Sequence, residues 1–130
     1  MYRWVEHTSE LELEIEAATV PDVFLEALEA FAELVAEERS ADSEWRLIEV
    51  RGDDDATLLV EWLGELAFLA EREGFVPERA GELEPDDGLL RASVRGYGGE
   101  PRQLVKAVTL HRLLFEPEGE GWRARVVLDV

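Results

Sequence analysis

Two carboxylates near opposite ends of the sequence could hold a metal ion if the fold brings them together. Glu10 follows the first strand-like stretch, and Asp129 stands beside the carboxylate of Val130 in the final segment RARVVLDV. Carboxylates about 4 Å apart repel by about 4 kcal/mol at an effective dielectric constant near 20, so their proximity demands a cation or a proton. An all-oxygen ligand set suits a hard cation such as calcium. Spacing alone does not show that Glu10 meets Asp129, and a plain acidic terminus is the alternative interpretation.

Two histidines and one lysine are the remaining candidates for chemistry. His7 and His111 lie in the strand-like segments VEHTSE and VTLHRL. A lone histidine on a strand is more often a hydrogen-bonded structural residue than a ligand. Lys106 is the only lysine among the 13 basic residues. Its compact charge on a long stem suits contact with an anion, although a single surface lysine without a role would look the same.

Sequence motifs of the common enzyme classes are missing. The chain has no GxxxxGKS/T, no strand-linked GxGxxG, no GxSxG and no HExxH, which are the patterns that position phosphates, dinucleotides, a serine nucleophile and zinc. It also has no cysteine, which excludes disulfides and zinc–thiolate sites and fits a reducing compartment. None of these motifs or cysteine chemistries therefore supplies a catalytic residue.

The charge balance is strongly acidic. There are 31 acidic residues against 13 basic ones, for a net charge of −18. Such a surface repels phosphate, so we expect no direct nucleic-acid binding. A local cluster of basic residues is still compatible with this net charge. The first residues show no signal peptide and no membrane-spanning run. The sequence predicts a soluble cytoplasmic protein whose acidity serves solubility, in a salty cytoplasm or an ordinary one.

Hydrophobic periodicity predicts one α+β domain over residues 1–130. LELEIEA alternates apolar and acidic residues, which predicts a half-buried strand with its glutamates in water. Val20, Pro21 and Asp22 open a helix, and RGDDD caps a second one that ends at Gly74. The helices are predicted at 20–38 and 56–73, and the strand-like segments at 2–8, 11–17, 44–50, 75–84, 89–96, 104–116 and 121–129. Two helices should cover one face of a largely antiparallel sheet.

Four blocks in this order resemble the archease family. The opening YRWVEHTSE resembles the family's start, which ends in His-Thr-Ala-Asp, and VKAVTLHRL resembles its VKAVTYH strand. LLVEWLGELAFL and the final WRARVVLDV resemble its second helix and its ending. The resemblance covers nearly the whole chain.

The resemblance implies a protein cofactor, not an enzyme. Archeases are partners of the RtcB-type RNA ligase of tRNA splicing and RNA repair, and they promote guanylation of that ligase and its repeated turnover. The family's calcium-type site falls on Glu10, Asp129 and Val130. The family's functional lysine falls on Lys106, and the histidines of the same two blocks, His7 and His111, are assigned with it to partner activation.

Two departures from the family pattern keep other functions open. HTSE replaces the usual HTAD, and Glu12 stands at the usual glycine. A divergent acidic scaffold or general chaperone that has lost the metal site and the ligase role is the first alternative. A small metal-dependent hydrolase is the second, and the absence of any carboxylate–histidine cluster with ligand spacing disfavours it.

Overall fold

The computed structural model describes residues 1–36 and 42–130, which form seven strands and two helices. In chain order the elements are β1 (Tyr2–His7), β2 (Glu10–Ala17), α1 (Val20–Val35), β3 (Ser43–Arg51), α2 (Asp55–Glu73), β4 (Phe75–Asp86), β5 (Leu89–Gly98), β6 (Ala107–Glu118) and β7 (Gly121–Asp129). Neither of these helices is long and apolar enough to cross a membrane.

The strands divide into two antiparallel sheets. The four-stranded sheet has the order β1-β2-β7-β6, and the three-stranded sheet has the order β3-β5-β4. Helix α1 packs against β2 and β4, and α2 packs against β3, β4 and β6, so each helix contacts both sheets. The predicted α+β class is confirmed, but the strands form two sheets that share the helices, where the sequence predicted a single sheet.

Local sequence signals start and stop the helices. The Thr19 hydroxyl accepts a hydrogen bond from the Asp22 N–H at the start of α1, and the Asp54 carboxylate accepts one from the Thr57 N–H at the start of α2. Gly74 ends α2 in the left-handed conformation, with φ at 63°. Helix α1 ends at Val35. Residues 37 and 38, the last two of its predicted span, lie outside the described residues.

The core lies between the helices and the two sheets. Trp62 of α2 is fully buried, and its indole N–H donates to the Phe24 carbonyl of α1 at 3.1 Å. This bond joins the two helices and satisfies a polar group that would otherwise be costly to bury. Leu13 and Ile15 of the alternating segment also face the core, as their spacing predicts.

Candidate functional site

One cross-strand row brings together three of the predicted site residues. Glu10 begins β2 directly opposite Asp129, the last residue of β7, and His7 of β1 lies opposite Glu10 on its other side. Residues that are direct partners in an antiparallel pair have Cα atoms about 4.5–5.5 Å apart and share one face of the sheet. Since Leu13 and Ile15 face the core, this row lies on the opposite, outer face of the four-stranded sheet.

Backbone hydrogen bonds hold the chain segments around this row. The Val130 N–H donates to the Ser9 carbonyl at 3.2 Å, and the Lys106 N–H donates to the Asp129 carbonyl at 2.8 Å. Ser9 adopts a positive φ of 63° in the two-residue turn between β1 and β2. The turn, the end of β7 and the segment before β6 therefore meet at one end of the sheet.

The oxygen atoms at this end of the four-stranded sheet suit a hard cation, but only in a site that is open to water. Glu10, Asp129 and Val130 are each half-buried, so water can complete a coordination shell. No three Asp, Glu or His side chains within residues 1–36 and 42–130 converge as a metal-binding group. A site here would therefore use two side-chain carboxylates together with main-chain oxygens of Val130.

A buried carboxylate, which the sequence predicted to lie in water, stands in the neighbouring row. Glu12 is only 2% exposed, although it belongs to the polar face of β2. Its Oε1 accepts a hydrogen bond from Arg112 Nη1 at 2.6 Å and lies 3.7 Å from His7 Nε2. The prediction of a fully solvated glutamate face was wrong at this position because an arginine from β6 covers the carboxylate.

A bulge in β6 carries this arginine. Thr109 pairs with Val127 and Leu114 with Arg125, so residues 110–113 stand opposite a single residue of β7. Arg112 has a positive φ of 58°, and its carbonyl accepts a hydrogen bond from Arg125 Nε at 2.8 Å. Strand β7 lies between β6 and β2, so the Arg112 side chain crosses β7 to reach Glu12. Val127, the β7 partner of Glu12, is correspondingly buried.

A second ion pair extends the charged rows of the outer face. Arg3 of β1 pairs with Glu14 of β2 at 2.8 Å, and Glu14 lies opposite Arg125 of β7. The hydrogen bond from Arg3 lowers the pKa of the Glu14 carboxyl group. In this row an acidic residue therefore lies between two basic ones, in contrast to the acidic balance of the whole chain.

Lys106 and His111 lie apart from the carboxylate row. Lys106 directly precedes β6 and is exposed, so only its backbone bonds to Asp129. His111 lies exposed in the bulge, where its N–H donates to the Thr109 hydroxyl at 3.3 Å. Within the described residues, no hydrogen bond or ion pair joins either side chain to Glu10 or Asp129.

Sequence reasoning missed Arg112 and the burial of Glu12. The sequence signal at Glu12 was that it stands where the family usually has glycine. That substitution does not identify the residue with which Glu12 pairs. Nothing in the local sequence marks Arg112, because the bulge that directs it arises from pairing between β6 and β7.

The described residues form a two-helix, two-sheet α+β protein in which Glu10 and Asp129 lie opposite each other at the paired ends of β2 and β7. The model of the Archease protein family (MTH1598/TM1083) matches residues 2–130. The chain belongs to the archease family.

Relatives and solved structures agree with this assignment. The archease of Pyrobaculum neutrophilum is 30% identical, with 99% of this chain and 95% of that protein covered, and the archease of Methanopyrus kandleri is 32% identical, with 97% and 96% covered. The solution structure of Methanobacterium thermoautotrophicum protein 1598 has a TM-score of 0.72 at 25% identity over 99% of this chain and 98% of that one. The crystal structure of a Thermotoga maritima archease, described as a possible chaperone, has a TM-score of 0.73 at 20% identity, with 100% and 98% covered, which bears on the fold alone.

Proposed function

We propose that this chain is a helper protein that activates an RtcB-type RNA ligase in the cytoplasm, without catalysis of its own. It promotes guanylation of the ligase and its repeated turnover in tRNA splicing and RNA repair. Membership of the archease family supports this proposal. The single structural observation that carries it is the register that sets Glu10 opposite Asp129, with Lys106 bonded through its backbone to the same residue.

Charge explains how such a helper finds its partner. A ligase that collects GTP and RNA, which are both anionic, needs a basic entrance. A chain with a net charge of −18 is drawn to a basic surface by long-range steering, which makes association fast and sensitive to salt. Lys106 is the only lysine in the sequence and is exposed next to the end of β7. In this proposal its ammonium group contacts a phosphate or a ligase carboxylate.

The acidic row serves as a calcium-type site in this proposal. Glu10 and Asp129 supply carboxylate oxygens, and Val130 supplies main-chain oxygens. A bound cation would offset the repulsion of the facing carboxylates and hold the ends of β2 and β7 together. His7 lies in the same row, and His111 lies on the exposed bulge of β6; both belong to the surface offered to the ligase.

One observation favours a second candidate, an acidic scaffold or chaperone without metal. Arg112 already places a positive charge beside Glu12, one row away from Glu10 and Asp129. This fixed cation offsets part of the negative charge that a metal would otherwise neutralise. In the second candidate the fold and its acidic surface persist while the metal site and the ligase role are lost.

A guanylation assay separates the two candidates. GMP transfer to the ligase of the same organism is followed over time, with and without this protein, at two salt concentrations. The proposal predicts faster transfer with the helper and less stimulation at high salt, because salt screens steering. Lys106→Ala should reduce stimulation without unfolding the protein, since the side chain is exposed. Equal rates with and without the helper would leave the scaffold function.

A further inference from the structure

A cleft of about 350 Å³ lies between the second half of α2 and the chain segment that leads into β6. Phe68 and Arg72 line it from the helix, and Lys106 lines it from the opposite side. Sites for small molecules commonly have volumes of about 300–1,000 Å³. The cleft is therefore large enough for a ligand of more than a few atoms.

Two basic side chains line this cleft without an acidic partner. Within residues 1–36 and 42–130, neither the Arg72 side chain nor the Lys106 side chain makes a hydrogen bond or an ion pair, and both are exposed. Other arginines are paired with glutamates, namely Arg3, Arg46, Arg91, Arg112 and Arg123. In a chain with 31 acidic and 13 basic residues, two unpaired cations on one cleft favour an anionic ligand there.

Helix α2 places an aromatic ring next to these cations. Gly64, Phe68 and Arg72 follow one another at four-residue spacing, so they lie along one face of the helix. Phe68 is 50% exposed, which leaves part of its ring free for contact with a ligand. A Cβ added at Gly64 would meet no atom within 4 Å, so this glycine leaves open space one turn before the ring. A planar group can therefore stack on Phe68 within reach of the charged end of the cleft.

An aromatic ring beside two cations favours a nucleoside phosphate as the ligand. Aromatic side chains stack on nucleobases, while arginine binds phosphate through its planar fork and lysine binds it as a compact charge. A carboxylate alone would use the cations but not the exposed ring. Glu71 is the one acid among the described residues that line the cleft. Exposed acids farther away than about 8 Å are largely screened at physiological ionic strength, so the two cations dominate the local field.

We propose that this cleft binds a nucleoside triphosphate, with the base stacked on Phe68 and the phosphates at Arg72 and Lys106. The choice of GTP rests on the proposed function, because GTP is the substrate of the guanylation that the helper promotes. The cleft adjoins the candidate site, since the Lys106 N–H donates to the Asp129 carbonyl at 2.8 Å. A nucleotide bound here would enter the complex with the ligase beside the row of Glu10 and Asp129.

Isothermal titration calorimetry of the protein alone with GTP tests this site. Guanosine, inorganic triphosphate and a short single-stranded RNA are titrated in parallel. The cleft variants are Arg72→Gln, Lys106→Gln, Phe68→Ala and Gly64→Leu, and the matched control is Arg95→Gln. Arg95 also has no acidic partner among the described residues, but it lies on β5 in the three-stranded sheet. The melting temperature of each variant shows whether it is folded.

The proposal predicts one GTP site with a dissociation constant below about 1 mM, the upper end of common KM values. Arg72→Gln and Lys106→Gln should each weaken GTP binding about tenfold or more, because a hydrogen bond between charged groups is lost. Phe68→Ala should weaken it about fivefold or more by removing the stacked ring. Gly64→Leu should abolish binding by filling the cleft and should melt at a higher temperature, since leucine is the better helix former. Arg95→Gln should bind GTP like the parent protein.

The outcomes separate this site from the helper function. Absence of GTP binding by the parent protein, or parent-like binding by all four cleft variants, would overturn the nucleotide site and leave the helper function standing. Equal affinity for GTP and inorganic triphosphate would overturn the stacked base. Binding of RNA without binding of GTP would assign the cleft to an RNA strand and also overturn the proposal. A parent protein that binds GTP but does not stimulate guanylation would overturn the proposed function and not the nucleotide site.

Discussion

Removing Arg112 should cost more stability than removing Glu12, although either change breaks the same ion pair. The asymmetry follows from exposure, since the Glu12 side chain is 3% exposed and the Arg112 side chain is 46% exposed. After Arg112→Met, we expect the long methionine side chain to cover the carboxylate still, which is then buried without its cation. After Glu12→Val, the guanidinium can turn into water. A buried charge left without its partner is strongly destabilising, whereas replacing both partners by apolar groups is often nearly neutral.

The expected magnitudes follow from the geometry of the pair. Charges about 4 Å apart attract by about 4 kcal/mol at an effective dielectric constant of 20. Because Arg112 is nearly half exposed, screening by solvent reduces this to about 2 kcal/mol. We expect Arg112→Met to lower the free energy of unfolding by about 2–3 kcal/mol and Glu12→Val to change it by less than about 1 kcal/mol. The double variant should lie within about 1 kcal/mol of the parent protein.

The parent protein, the two single variants and the double variant form a double-mutant cycle. Urea unfolding followed by tryptophan fluorescence measures their stabilities, because the chain contains four tryptophans. The urea concentration at half-unfolding should fall for Arg112→Met and largely recover in the double variant. The slope of the unfolding free energy against urea concentration should not change. Arg3→Met is the control, since it breaks an ion pair of the same sheet face whose arginine is mostly exposed, and it should have little effect. Equal losses from the two single changes, or a double variant as unstable as Arg112→Met, would refute the reasoning from burial.

Three further predictions address the metal, the pH dependence and the core. Calcium at a hundredfold excess over its dissociation constant should stabilise the protein by about 2.7 kcal/mol, seen as a higher melting temperature, and Asp129→Asn should abolish the rise; an unchanged parent melting curve would support the scaffold function. Because the pKa of Glu14 is lowered below its ordinary value of 4.5 by the hydrogen bond from Arg3, the stability from this pair is fully present above that value and lost as the pH falls through the lowered pKa. Unfolding measured from pH 6 to pH 3 should show a shallower loss for Arg3→Gln than for the parent protein. Trp62→Phe should lower the free energy of unfolding by about 1–3 kcal/mol, because the buried hydrogen bond between the indole N–H and the Phe24 carbonyl is lost; a change below about 0.5 kcal/mol in urea unfolding would contradict a role for this bond.

Local sequence signals predicted the helices and strands but not how the strands pair into sheets. The alternation of LELEIEA, the cap at RGDDD and the glycine at position 74 each act within a few residues, and β2 and α2 appear where those signals predict them. The division of the strands into two sheets depends on pairing between distant segments, which local periodicity does not record. Strand β6 begins at Ala107 and not at residue 104, and the Lys106 N–H just before it donates to the Asp129 carbonyl at the end of β7.

The candidate site also depends on pairing between distant segments, which the local sequence does not record. The residue types at Glu10 and Asp129 indicated oxygen ligands, but only the β2–β7 register places them opposite each other. Within LELEIEA, Glu12 looked like one of three equivalent glutamates, and what distinguishes it is an arginine 100 residues later in the chain. A bulge and a positive φ bring that arginine across a strand, and both arise from tertiary pairing.

The most direct test of the helper function is the initial rate of GMP transfer to the ligase at helper-to-ligase ratios from zero to one. A helper that leaves after each activation need not be present in equal amount, so the account predicts a clear rise in rate at ratios well below one. The same series with Lys106→Ala should rise less, because the exposed cation beside Asp129 is missing. A rate that stays at its helper-free value across the whole series, with an active ligase from the same organism, would contradict the account.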